Sequence, residues 1–134
     1  MKKLTITSVF GIIGILFWTL TILLRGTVVN GIETFNFVLG IMPNIAAAWF
    51  FIWTVEIIVN RANKDFTFKT SLISSGLILL FAIMSETIHD LFLNSPFDIY
   101  DIIGTILAIV LYLGTLYIIK NYRNTNEQSA PITK

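Results

Sequence analysis

Glu86, His89 and Asp90 fall at i, i+3 and i+4, and further on Asp98 and Asp101 are again three apart. In a helix such spacings put side chains on one face. The connection Leu91–Pro96 is short, so the helices that carry the two groups pack as antiparallel neighbours and their polar faces can meet. Imidazole with carboxylates suits several divalent ions, and Glu-x-x-His on a helix is the unit from which four-helix di-iron proteins build their sites. Those proteins use two such motifs; one histidine in the whole chain excludes a di-iron site within it. A single ion on Glu86, His89, Asp98 and Asp101 stays open in ligand type. Carboxylate beside imidazole also suits general acid–base work, since histidine titrates near neutrality. Ser85 and Thr87 flank Glu86, but hydroxyls inside a helix more often bond back to the preceding turn than act as nucleophiles. Polar packing is the stronger reading of the cluster taken alone: Asp98 and Asp101 complement the dipole of a helix's first turn, and Glu86 and His89 form one hydrogen-bonded pair.

The elements that must position these groups are membrane helices. Of 134 residues, 55% are hydrophobic and 13% charged, with a mean hydropathy of +0.81. That is about half the charge of an average soluble domain, and it excludes a disordered chain. A net charge of +1 without a basic stripe argues against a nucleic-acid partner. The absence of cysteine excludes disulfides, zinc ribbons, Fe–S clusters and a thiol nucleophile. A hydrocarbon core needs roughly 20 apolar residues in a helix. Leu4–Leu24 is one charge-free run; it follows Met1-Lys2-Lys3, but Leu23-Leu24-Arg25 is no small-x-small cleavage site, so it reads as a retained helix. The second helix is expected from Pro43 to Val59, because proline suits a first turn. Phe35–Met42 then becomes a short outer segment before it, interfacial or re-entrant. The third runs from Thr70 to Leu93. The fourth has Ser95 as N-cap, Pro96 at the first helical position and an uncharged body from Ile102 to Ile119. The expected fold class is all-α: a single integral membrane bundle of four transmembrane helices over residues 1–120, with a polar, frayed cytoplasmic tail over 121–134.

Lysine and arginine accumulate on the cytoplasmic side of short loops. Lys2, Lys3, Arg61, Lys64, Lys69, Lys120, Arg123 and Lys134 share one side of a four-helix zigzag, and Arg25 alone takes the other. Both termini are therefore expected in the cytoplasm of a multi-pass protein of the bacterial cytoplasmic membrane. Glu33, Glu86, Asp90, Asp98 and Asp101 show the opposite bias. Acids set orientation little, so their outward gathering is a separate feature. Ionisable groups at membrane depth face the bundle interior and often mark function. Glu56, the other acid in an apolar run, lies about 6 Å from its helix end, where Lys2, Lys3 or Arg61 are its expected partners. Gly104 and Ala108, Ala46–Ala48, Ser74, Ser75 and Gly76 mark close helix contacts, within the bundle or in a dimer.

The stretch Glu86-x-x-His89 followed by Phe97-Asp98-x-Tyr100-Asp101-Ile102 and an apolar helix resembles the carboxy-terminal part of VanZ-like membrane proteins. Gly40-Ile41-Met42-Pro43-Asn44 is similar to the Pro-Asn start of the second helix in short members. The chain departs from the family at His89, where glutamine is usual, at Thr105 for asparagine and Ala108 for glycine. It also has Asn94-Ser95-Pro96 where an arginine often precedes the aspartates. The family is named for a member linked to low-level teicoplanin resistance. The resemblance implies a non-enzymatic envelope protein whose outer cluster, Glu86, His89, Asp98 and Asp101 with Asn44 and Arg25, binds a lipid head group, a peptidoglycan precursor or a glycopeptide. It implies no cofactor. Two other functions stay open: a metal-binding or acid–base membrane enzyme on the same four residues, and an accessory or immunity-type protein packed against a transporter or a pore-forming peptide. Beyond membrane lipid, the partner can be a second copy or a larger membrane protein. A transporter acting alone is least favoured, because the chain shows no inverted repeat.

Overall fold

The computed structural model describes residues 4–27, 32–93 and 95–128. It holds four helices: α1 (Ile6–Arg25), α2 (Glu33–Arg61), α3 (Phe68–Leu93) and α4 (Ile99–Gln128). There is no strand among the described residues. Each boundary has a local cause. The Thr5 hydroxyl accepts from the Ser8 N–H and caps α1, and the Thr67 hydroxyl accepts from the Thr70 N–H ahead of α3. α2 stops in a Schellman turn: Asn63 takes φ 53°, its N–H donates to Asn60 O, and the Lys64 N–H donates to Val59 O. Asparagine tolerates this left-handed position better than most residues.

All four helices are long and apolar enough to cross a membrane, and the packing is that of a multi-pass membrane protein. The outer faces carry large apolar residues, among them Leu16, Ile22, Leu23, Phe81, Phe92, Val110 and Ile118, each more than half exposed. In water such a surface would aggregate. The interior instead collects hydroxyls: Thr7, Thr21, Ser71, Ser74, Ser75 and Thr105 are buried. Most bond back one turn, as Thr21 does to Phe17 O and Ser74 to Thr70 O, which satisfies them where no water is at hand.

α2 and α4 form the middle of the bundle, with α1 against α2 on one flank and α3 against both on the other; the α1 and α3 backbones do not approach each other. Tyr112 of α4 links those flanks. Its buried hydroxyl bonds to Thr7 at 3.0 Å and donates to Ser71 at 3.2 Å. Beside it, the indole of Trp49 donates to Ala108 O at 2.9 Å and its ring meets Phe10 edge-on at 5.0 Å. Trp18 is 39% exposed and rests on Phe50.

Three expectations need correcting. α2 does not begin at Pro43: it runs unbroken from Glu33, and Phe35–Met42 forms its first turns rather than a separate element. Proline lacks an N–H, so the carbonyl four residues back, that of buried Leu39, loses its helical partner. The Arg25 guanidinium supplies the replacement, Nη2 donating to Leu39 O at 3.2 Å. A helix keeps an internal proline when a neighbour re-satisfies the freed group. α4 begins at Ile99, not Pro96, because Asp98 and not Ser95 caps it: Asp98 Oδ1 accepts from the Tyr100 N–H at 2.9 Å. At the other end α4 continues to Gln128, so the first eight residues of the expected tail are helical; Ser129–Lys134, like Lys2 and Lys3, lie outside the described residues.

Candidate functional site

At the end of the bundle that carries the α1–α2 and α3–α4 connections, Arg25, Asn44, Glu86, His89, Asp98 and Asp101 line one cavity of about 470 Å³. Every helix contributes. Arg25 is the last residue of α1, where a basic group suits the helix dipole. Its bond to Leu39 O holds it over α2, and Pro43 lines the same cavity.

The α3–α4 connection closes through two bonds. The Ser95 N–H donates to His89 O, and the Asp98 N–H donates to Glu86 Oε2 at 3.3 Å. Those bonds bring the two i,i+3 pairs together. Glu86 Oε1 lies 3.9 Å from His89 Nδ1, an ion pair when the imidazole is protonated, with Glu86 largely covered and His89 about half exposed. Asp101 sits in the first turn of α4, within electrostatic reach of Asp98, Glu86 and Arg25, and accepts a side-chain hydrogen bond from Asn44. Asp90 stays on the exposed face of α3 and is not part of the wall. The cavity thus offers three carboxylates against one guanidinium. Among the described residues no three histidine, aspartate or glutamate side chains are placed to hold one metal ion. Thr87 bonds back to Ile83 O, as expected of a hydroxyl within a helix.

Glu56 makes no ion pair with Arg61, and its other expected partners, Lys2 and Lys3, lie outside the described residues. Glu56 is 4% exposed and accepts from the Thr5 hydroxyl at 2.9 Å and the Ser8 hydroxyl at 3.4 Å. The cap of α1 is therefore also the partner of the buried acid of α2, a long-range use of Thr5 that no local pattern announces. The part of Arg25 in α2 was also missed. The signal that could have found it is Pro43 itself, which demands a donor for Leu39 O.

Comparison of the chain with family models, with curated proteins and with solved structures finds no match in any of the three.

Proposed function

We propose that this chain is a VanZ-like membrane protein with both termini in the cytoplasm, whose outward polar cavity binds a cell-envelope component and thereby lowers susceptibility to teicoplanin-type glycopeptides. The observation that carries the reading is the convergence of six polar side chains from all four helices on one cavity. Polar groups at the end of a membrane bundle cost stability unless paired or put to use, and here the carboxylates outnumber their cations. The orientation rests on the basic residues: Arg61, Lys64, Lys69 and Lys120 lie toward the end opposite the cavity. In this orientation the long first turns of α2, from Glu33 to Met42, sit at the outer surface.

The orientation predicts a labelling pattern. Ser95→Cys should react with a membrane-impermeant thiol reagent in intact cells, and Lys64→Cys should react only after permeabilisation. The chain has no cysteine of its own to confuse the result. The reverse pattern would place the cavity inside and sink the proposal.

The binding claim is tested by expression in a glycopeptide-susceptible host. The wild-type chain should raise the inhibitory concentration of teicoplanin. Asp101→Asn keeps the volume and removes the charge, and Glu86→Gln does the same on α3. Each should weaken binding by about tenfold or more, since a hydrogen bond to a charged group contributes about 1.5–3 kcal/mol. The protection should vanish while membrane abundance stays the same. Full protection by both variants would show that the cluster is structural. Loss of abundance in both would show that it holds the helices together.

A further inference from the structure

The polar cavity does not end at its carboxylates. A second cavity of about 500 Å³ continues from it between α2, α3 and α4. Asn44, Ser85, Glu86 and Asp101 belong to both, so the two join end to end. The second is walled by Ala47, Phe51 and Val55 of α2, Ile78 and Ala82 of α3, and Ile102 of α4. Its α2 wall, Asn44 to Val55, is twelve residues long and spans about 16 Å of helix. The small side chains of Ala47 and Ala82 open the space that larger residues would fill.

Phe51 and Phe81, which both line it, are 48% and 63% exposed, so the cavity opens on the face of the bundle that meets lipid, and its apolar walls take up apolar chains rather than water. Its volume falls within the range of about 300–1,000 Å³ usual for ligand sites. At membrane depth the available filler is hydrocarbon. At its polar end the cavity meets Glu86 and Asp101, with Asp98 above them, so the occupant is an amphiphile whose head complements negative charge. A protonated amine brings three N–H donors, and charge-assisted bonds from an ammonium to carboxylate are the strong ones. An anionic head group meets repulsion there.

We infer that the joined cavities hold one membrane lipid with an amine-bearing head group, its tail between α2, α3 and α4 and its ammonium among Glu86, Asp98 and Asp101. This deepens the proposed function and rests on the reading of the polar cavity as a binding site. Arg25 lines the same polar cavity and is the cation for the phosphate of the same head group.

The test is native mass spectrometry of the full chain released from nanodiscs that contain phosphatidylethanolamine, phosphatidylcholine and phosphatidylglycerol in equal parts. The wild type should retain one phosphatidylethanolamine per chain, at least about tenfold over phosphatidylglycerol, the smallest factor that a charge-assisted bond supplies. Ala82→Phe fills the tail cavity and should abolish retention. Ile83→Phe adds a ring next to it on the exposed face of α3 and should not. Asp101→Asn should keep an adduct but lose the preference between heads. An adduct that survives Ala82→Phe, equal retention of the three lipids by the wild type, or a dimer without adduct overturns the inference. Selective retention without any change in teicoplanin susceptibility would instead overturn the envelope function and leave the lipid site standing.

Discussion

Gly14→Leu is expected to force α1 away from α2 and to cost the bundle more stability than any single change on its surface. A Cβ built on Gly14 would lie 2.7 Å from the backbone oxygen of Ala46, and Trp49 Cβ and Phe50 N follow at 3.4 Å. A backbone oxygen in the middle of a helix cannot move alone, so the helices must part. Gly11, one turn earlier, is equally tight, with Trp53 atoms 2.5 Å from its would-be Cβ, so α1 lies against α2 along two turns. Close approach of small residues is what drives helix association where lipid is as apolar as the side chains. Gly14→Ala alone should cost about 1–3 kcal/mol, the usual price of overpacking, and leucine more. Gly76 of α3 is the internal control. No atom lies within 4 Å of a Cβ placed there, and alanine is the better helix former by about 0.5–1 kcal/mol. Gly76→Ala should therefore leave stability unchanged or slightly raised. Unfolding of the three variants in detergent, followed by loss of helical circular dichroism, gives opposite signs for the two sites. Equal effects would show that the α1–α2 contact is looser than described.

Arg25→Ala is expected to destabilise the fold by about 1–3 kcal/mol, the cost of leaving a buried acceptor without a donor. That acceptor is Leu39 O, which Pro43 deprives of its helical N–H. The prediction becomes specific in a double-mutant cycle. Pro43→Ala restores an N–H four residues beyond Leu39 and removes a ring that costs an ordinary helix interior about 3 kcal/mol. By itself it should be neutral or stabilising. On that background Arg25→Ala should cost at least about 1 kcal/mol less than in the wild type, within the coupling range of residues that share one bond network. Identical costs in both backgrounds would show that the guanidinium acts only through the charges of Glu86, Asp98 and Asp101. The pair also bears on the site: with Pro43→Ala the guanidinium is released from Leu39 O, yet keeps its attraction to Asp101.

Composition and local spacing account for the helices and for the pairing of the polar groups. Four long apolar runs require four helices, since a helix satisfies its own backbone in hydrocarbon and about 20 residues of it span the core. The i,i+3 pairs Glu86/His89 and Asp98/Asp101, joined by a short connection, had to meet, because helix periodicity and loop length leave them little choice. Groups without a local partner find one only through the packing of the helices. Pro43 reads as a helix start because its missing N–H is harmless there; it became interior because Arg25, from another helix, satisfies the carbonyl that it strands. Glu56 reads as an interfacial acid because a cation, Arg61, lies near it in sequence; it is buried because the hydroxyls of Thr5 and Ser8, about fifty residues away, donate to its carboxylate. The apolar cavity below the carboxylates is invisible in any one helix, since an alanine marks a contact or a void according to what stands opposite. A hydrogen-bonding requirement is written at the residue that creates it, but the group that meets it is chosen by packing, and packing is not a local property of the chain.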